Sequence, residues 1–503
     1  MQELAPLVCS MMALGHFLFI VWPRIRNPFF GVDCWRHMLA AEYIRKNRKI
    51  PDKSIDNYLF AGPFDYPPLL PVFLAMFSKS VRLVLQAILS PLIEVCHGVL
   101  VFVLVLYLAG STTAAVISQL LFMLVPITVL ENSQLTARSP GSLLLTISLV
   151  GVTAFTSTGD WLWFGIALTA AVLIHFTHKM ASQALLLFSL LAIPLLPWIW
   201  GVVLIGPLSL LVTLLLARKT ARRILTGHVA VLRYYWRIFM TLRSATGSVE
   251  SPSLVGRLVK LAKSNPLIAA IGANPWIVLV IPAAVASRQA ATALSMIELF
   301  WLVAVYTLIV ATTWVRPLRF LGDGPRYSYY LSFPIAFAGG PLIAACIDVG
   351  GCQAGVITAV LILAGTGIAA GIIFLQFKAV MADKERSFRG DVKAIVEILK
   401  RANPSRVLVL PLCTAEIVAF FADCSVLSTD SALVHAEDPD FRNFNPRREK
   451  PVSFFLERYD ITHVMAENTP AFMSSLNLPG EFTRKYDGAD FVLWSRNPAG
   501  NAT

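Results

Sequence analysis

Residues 83–109 read LVLQAILSPLIEVCHGVLVFVLVLYLA, a run whose only formally charged side chain is Glu94. A helix rises about 1.5 Å per residue and a bilayer core is about 30 Å thick, so such a run is long enough to cross a membrane. Outward from it, comparable runs recur at 4–22, 112–130, 139–156, 161–178, 182–194, 196–216, 266–286, 293–315, 327–348 and 354–376, which makes 11 candidate spans. The pair at 182–194 and 196–216 is divided by Pro194 and Pro197. Each half is near the lower length limit, so the pair reads equally as one kinked or re-entrant element. Composition agrees. The 503 residues are 56% hydrophobic and 14% charged, with a mean hydropathy of +0.67, against about 45–50% and about 25% in soluble domains. A soluble enzyme, a disordered chain and a disulfide scaffold are excluded. Arg24 and Arg26 follow the first run without a small-residue cleavage site, so that run reads as a retained span.

The net charge of +12 is concentrated. Residues 24–65 hold eight Lys/Arg against five Asp/Glu, and residues 218–265 hold ten against Glu250 alone. These two loops carry the whole excess. Basic segments held between spans suit membrane lipid headgroups or a phosphate-bearing substrate, and no nucleic acid is expected as a partner. In 218–265, Ile224, Val231, Leu232, Tyr235, Ile238 and Phe239 alternate with Arg222, Arg223, Arg233 and Arg237, which predicts amphipathic helices lying along the membrane surface. Seven scattered cysteines make no paired metal or redox motif. Cys346 with Cys352, or Cys413 with Cys424, could pair in an oxidising compartment, but buried reduced thiols are the expected state.

Near residue 384 the chemistry changes. Residues 383–503 carry 15 basic and 17 acidic side chains, and the long apolar runs stop. Helices are expected at Asp391–Arg401, Thr414–Ala422 and Pro451–Tyr459, and strands at Arg406–Pro411, Ser425–Leu427 and Ile461–Ala466. Phe482–Tyr486 and Phe491–Ser495, around Asp487-Gly488, read as a closing hairpin. Alternating helix and strand predicts a small α/β domain. It has no glycine-rich phosphate loop and is assigned no cofactor. The expected organisation is a polytopic α-helical membrane domain over 1–383, including a first loop at 24–68 and the basic loop at 218–265, followed by a soluble α/β domain over 384–503.

The first loop opens with Gly31-Val32-Asp33-Cys34-Trp35-Arg36-His37 and closes with Phe64-Asp65-Tyr66-Pro67-Pro68-Leu69. A helix is expected between them, at Trp35–Lys46. Asp33 at its N-terminus is favoured by the dipole and by capping, so the plainer reading is an N-cap. The functional reading is that an acid at a membrane surface, one turn from His37, takes a proton from an acceptor hydroxyl.

An acid just after the first span, a helix, Arg48-Lys49-Ile50-Pro51 and then Tyr66-Pro67-Pro68-Leu69 together resemble the polyprenyl-phosphate-dependent membrane glycosyltransferases of the C superfamily. The likeness is to the protein mannosyltransferase and oligosaccharyltransferase branch. Two further stretches are similar to that family: the arginine-tyrosine loop Arg319–Tyr327, and His175-Phe176-Thr177-His178-Lys179 with Gln183 at the polar end of a middle span. The resemblance implies many membrane helices, a catalytic acid in the first extracytoplasmic loop and an extracytoplasmic C-terminal domain. It also implies a lipid-linked sugar donor. Two departures matter. Asp33 is followed by Cys34 rather than a second acid, and the Trp-Trp-Asp signature of oligosaccharyltransferases is absent. The expectation is transfer of one hexosyl or pentosyl unit to an unidentified protein, lipid or glycan acceptor, with Asp33 as catalytic base.

Substrate-binding roles are assigned to His37, Tyr66, Glu131, Arg138, His175, His178, Arg319 and Arg326. Guanidinium matches phosphate oxygens in a bidentate way, which makes Arg319 and Arg326 candidates for the lipid phosphate; headgroup anchoring is the plainer account. Glu131 with Arg138 reads equally as a boundary ion pair. His175 and His178 share a helical face, but no carboxylate can be placed beside them, so a divalent metal is left open and no cofactor is certain. Glu94 and His97 lie one turn apart within an apolar run, where ionisable groups are functional candidates by default. The positive-inside rule puts the basic loops in the cytoplasm, against the family's extracytoplasmic orientation; the rule weakens for long translocated loops. The alternative function is a transporter or flippase of a lipid-linked or anionic substrate, but no internal repeat is visible and the polar residues cluster at span ends.

Overall fold

The computed structural model describes residues 2–241, 265–279, 293–322, 324–348, 352–402, 405–429, 438–444, 450–470, 473 and 476–497. The chain divides into two compact units. The first comprises Met1–Trp22, Ile88–Arg222 and Leu232–Lys378, and the second Pro23–Ala87, Arg223–Val231 and Ala379–Thr503.

Helices run in the order α1 (Ala5–Arg26), α2 (Asp33–Asn47), α3 (Leu69–Ala75), α4 (Lys79–Ala109), α5 (Thr112–Met123), α6 (Pro126–Asn132), α7 (Arg138–Thr158), α8 (Trp161–Thr177), α9 (Lys179–Leu191), α10 (Leu196–Leu216) and α11 (Arg218–Thr241). Further helices occupy Pro266–Ala273, Ala293–Trp314, Ser332–Asp348 and Cys352–Ala382. Among the described residues, five helical segments are long and apolar enough to cross a membrane: Ala5–Arg26, Lys79–Ala109, Arg138–Thr158, Ile193–Leu216 and Ile362–Ala382. Shorter apolar helices include Trp161–Thr177, Lys179–Leu191 and Leu299–Trp314. The architecture is polytopic and mostly helical.

The run at 112–130, expected as one span, is instead α5 and α6 meeting at 59°. Pro126 occupies the first turn of α6, where its missing N–H is no loss but where it prevents α5 from continuing. Within the first unit, helices approach closely through small residues. A Cβ on Gly340 of the Ser332–Asp348 helix would lie 2.5 Å from the Ala114 carbonyl oxygen and would overlap Ser118 of α5. A Cβ on Gly151 of α7 would lie 3.0 Å from Ala167 of α8. Small residues at such crossings bring backbones together where hydrophobicity alone gives no preference between helix and lipid. The basic segment is helical over Arg218–Thr241, with Ala221, Ile224, Val231 and Tyr234 buried and Arg222, Arg233 and Arg237 exposed. The remainder of the expected amphipathic segment, 242–264, lies outside the described residues.

The second unit carries a five-stranded sheet, β1 (Arg406–Leu410), β2 (Ser425–Val426), β3 (His463–Glu467), β4 (Phe482–Asp487) and β5 (Phe491–Arg496), in the order β2-β1-β3-β5-β4. β1 pairs in parallel with β2 and β3; β3–β5 and β5–β4 are antiparallel, the latter being the expected hairpin. Helices at Gly390–Arg401, Ala415–Ala422 and Val452–Arg458 complete it.

The first loop is built into this sheet. Val426 N–H donates to Asn57 O at 2.8 Å and Leu59 N–H to Val426 O at 3.0 Å, so residues 57–59 continue the sheet beyond β2. Phe60, fully buried, meets the rings of Phe441, Phe444, Phe455 and Tyr459. Trp35 of α2, also fully buried, packs on Phe420 and Phe421 at centroid distances of 5.3 and 5.0 Å. The loop at 24–68 and the C-terminal residues therefore share one hydrophobic core. Cys413 and Cys424 are free thiols; the side chains of Cys346 and Cys352 lie outside the described residues.

Candidate active site

Asp33 is the first residue of α2, with Val32 in the N-cap position, so the helix begins two residues before the expected Trp35. One turn on, Arg36 brings Nη2 to 3.6 Å from Asp33 Oδ1, with side-chain exposures of 7% for Arg36 and 29% for Asp33. The acid faces solvent in part while its partner is buried. The Arg36 guanidinium lies over the Tyr66 ring, 4.1 Å from its centroid, and the His37 ring meets the same tyrosine at 5.2 Å. The Tyr-Pro-Pro end of the loop thus folds back onto the first turn of α2. Burial opposes the Arg36 charge, but Tyr66, Asp33, Glu416 and Tyr58 more than offset it and hold the guanidinium firmly protonated. Burial and the Arg36 charge pull His37 down to about 3, leaving a neutral imidazole.

Glu416, in the first turn of the Ala415–Ala422 helix, is fully buried and acts electrostatically on Arg36. Tyr58 Oη donates to Glu416 Oε1 at 3.1 Å, and Thr429 hydrogen-bonds the same carboxyl. Burial pushes the Glu416 carboxyl up to about 7, against the opposing pull of Arg36. The Arg223–Val231 stretch of α11 also belongs here. Arg223 pairs with Asp52 at 2.9 Å, and Gly227 lies so close to Asp65 that a Cβ would overlap the carboxylate.

The other expected residues lie in the first unit. Arg138 forms an ion pair with Glu131. His175 and His178 do not converge. His175 Nδ1 meets Ser182 Oγ at 2.6 Å and its Nε2 meets Ser209 Oγ at 3.0 Å, whereas His178 Nδ1 accepts from Ala181 N–H at 3.3 Å at the start of α9. Gln183 joins two of the sequence stretches: its Nε2 donates to Leu321 O and to Tyr327 Oη, both at 2.6 Å. This fixes the loop bearing Arg319 and Arg326, both of which are exposed; Arg319 Nε donates to Thr313 O at 3.2 Å. Glu94 is buried with Tyr329 Oη at 3.4 Å, and Tyr329 in turn bonds Asn132.

No family model matches the chain, and no curated protein does. Solved structures do. The archaeal oligosaccharyltransferase AglB from Archaeoglobus fulgidus, in complex with an inhibitory peptide and a dolichol-phosphate, aligns with a TM-score of 0.59 at 12% identity, over 91% of this chain and 69% of that one. ArnT from Cupriavidus metallidurans bound to undecaprenyl phosphate aligns with a TM-score of 0.57 at 10% identity, over 98% of both chains. ArnT in the apo state gives 0.57 at 13% identity, over 97% of both. The chain shares the fold of AglB and ArnT.

Within this fold, Asp33, His37 and Tyr66 are brought together, Glu131 is joined to Arg138, and Arg319 and Arg326 share one loop. The motif reading passed over Arg36 as a partner of Asp33 and missed Glu416. A helical i,i+3 count from Asp33 reaches Arg36, and an acid inside the otherwise apolar AEIVAFFA is an anomaly in its own right. Among the described residues no three His, Cys, Asp or Glu side chains converge as a metal-binding set.

Proposed function

We propose that this protein is a membrane glycosyltransferase that moves a sugar from a polyprenyl-phosphate donor to an acceptor hydroxyl with inversion, Asp33 acting as base. The observation that carries the reading is the partly exposed Asp33 carboxylate at the start of α2, beside buried Arg36, which lies over the Tyr66 ring, in a chain sharing the fold of AglB and ArnT, which were captured with dolichol-phosphate and undecaprenyl phosphate. The acceptor oxygen attacks the anomeric carbon as the bond from that carbon to the phosphate oxygen breaks. The polyprenyl phosphate leaves with the bonding pair, and the hydroxyl proton passes to Asp33. The leaving phosphate needs charge stabilisation more than protonation, a role suited to the exposed guanidinium groups of Arg319 and Arg326. A single base with direct displacement inverts the centre, whereas retention calls for a second carboxylate as nucleophile.

The finer topology goes with this reading: 11 spans, with the first loop, the basic loop, the Arg319 loop and the C-terminal domain on the extracytoplasmic side of the cell membrane. Both neighbours are transferases, which favours transfer over the transporter or flippase alternative. The test is purified protein in lipid with a polyprenyl-phosphate sugar. Release of free polyprenyl phosphate on adding an acceptor supports the proposal; movement of intact donor across the bilayer without cleavage rejects it.

A further inference from the structure

Arg319 sits on an element that should not keep its shape unaided. Arg316–Leu321 is a six-residue 3-10 helix in which no residue is buried, whereas the poorly aligned hydrogen bonds of such helices normally limit them to about three or four residues. It ends at Gly322, whose φ of +127° is readily adopted only by glycine, so the next peptide lends it no support. What holds it is a closed set of three hydrogen bonds at its last carbonyl. Gln183 Nε2, on α9, donates to Leu321 O and to Tyr327 Oη, both at 2.6 Å, and Tyr327 Oη donates to Leu321 O at 2.9 Å. A side-chain amide has two N–H groups, a phenol one O–H and a carbonyl two lone pairs; the triangle uses every one of them. Tyr327 and Gln183 are both buried. Beside them, a Cβ on Gly324 would overlap Thr313 Oγ1, so the return of the chain to Tyr327 has little play.

We propose that Gln183 and Tyr327 are positioning residues for Arg319, gripping the Leu321 carbonyl so that the short helix holds the Arg319 guanidinium where it meets the phosphate of the lipid-linked donor. This rests on the reading of Arg319 as a phosphate partner. Arg319 is two residues from the gripped carbonyl, and its own carbonyl accepts from Gly322 N–H at 3.2 Å, so the grip and the arginine belong to one turn. Its Nε is committed to Thr313 O at 3.2 Å. That leaves the terminal N–H groups of this exposed side chain to pair with two phosphate oxygens. Bidentate pairing is exacting in angle, and an arginine on a fraying helix meets it only part of the time. Apparent affinity then falls by the fraction of time the site is formed. Phe320 meets the Trp236 ring at 5.2 Å, an apolar contact that steadies one neighbouring side chain but leaves the carbonyl to Gln183 and Tyr327.

The test uses Tyr327→Phe, Gln183→Met and Arg319→Gln in the purified full-length protein in nanodiscs. The readouts are binding of labelled undecaprenyl phosphate and of undecaprenol, the same chain without the phosphate. Tyr327→Phe removes one hydroxyl and keeps the buried ring; Gln183→Met removes the amide at nearly constant size. Each leaves the other bond to Leu321 in place. We expect each to weaken undecaprenyl phosphate binding about 2–10-fold, the scale of one lost hydrogen bond, with undecaprenol binding unchanged. On an Arg319→Gln background neither should have a further effect, because substitutions acting through one group are not additive. Should one variant not fold, the other carries the same test. Native affinity for undecaprenyl phosphate in a folded variant, an equal loss for undecaprenol, or an undiminished loss on the Arg319→Gln background would each overturn the role. Arg319→Gln alone separates the two ideas. Weaker phosphate binding there, with Tyr327→Phe and Gln183→Met native, removes only the positioning role; native phosphate binding there removes Arg319 as a phosphate partner and this inference together.

Discussion

Replacing Asp33 with asparagine preserves its size and removes only its capacity to take a proton. Loss of a general base costs about 10²–10⁴-fold in rate, so Asp33→Asn should lose turnover on that scale while retaining the native melting temperature and donor binding, both measurable on the purified protein. A residue serving only the helix terminus would instead lose about 1 kcal/mol of stability with near-normal turnover. Asp65→Asn should have a smaller effect on rate. Glu416 supplies a second prediction, in pH. Its carboxyl is raised from 4.5 to about 7 in the fold, so the folded protein holds a proton that the unfolded chain releases. That contribution to stability is full below about pH 4.5 and is lost as pH rises through about 7, amounting to on the order of 3 kcal/mol. Thermal midpoints at pH 5 and pH 8 should therefore differ more for native protein than for Glu416→Gln; equal differences would contradict the shift. Legibility at this scale followed distance along the chain. Asp33 and Arg36 are one helical turn apart, and Tyr66 closes the same loop. Tyr58 and Glu416 are 358 positions apart, and no local periodicity connects them.

Elements in the C-terminal region were readable almost to the residue, since amphipathic helix and buried strand each impose a short period on a few apolar positions. The Asp391–Arg401 expectation meets a helix at Gly390–Arg401, and the hairpin around Asp487-Gly488 forms where its turn residues predicted. Membrane runs are less informative, because an all-round apolar helix carries no phase and hides its breaks. The bend between α5 and α6 follows from Pro126, but hydropathy averages over it. Nor does hydropathy reveal which faces touch. Gly340 against Ala114 and Ser118 is a crossing that only a glycine permits. Gly340→Val should destabilise the helical unit by about 1–3 kcal/mol through overpacking, seen as a lower melting temperature in detergent. A similar change at Gly367, which has open space around it, should be near neutral and serves as the control.

For the whole molecule, the composition break near residue 384 predicts a soluble α/β domain over 384–503, and the first loop packs with residues of that segment in one compact unit. Trp35 and Phe60 are buried in rings supplied by Phe420, Phe421, Phe441, Phe444 and Phe455. Removing 385–503 should accordingly expose residues 24–68 to protease and abolish turnover while the helical unit persists; a loop that stays protected would refute the shared core. Reporter fusions at Lys219 and Thr503 should report the same, extracytoplasmic side, and a cytoplasmic C-terminus would overturn that orientation.

The pairing of residues 57–59 with Val426 also bears on how the protein is made. A ribosome adding about 5–20 residues per second needs on the order of 20–70 s to travel from Tyr58 to Glu416, which lie 358 positions apart. Throughout that interval the loop carrying Asp33 has emerged without the strand, the aromatic rings and the buried acid that complete it. Biogenesis therefore finishes the candidate active site last. A chain that stalls or is cut short in its final quarter lacks that strand and those rings, and if the proposed transfer is its activity it should be inert until synthesis is complete.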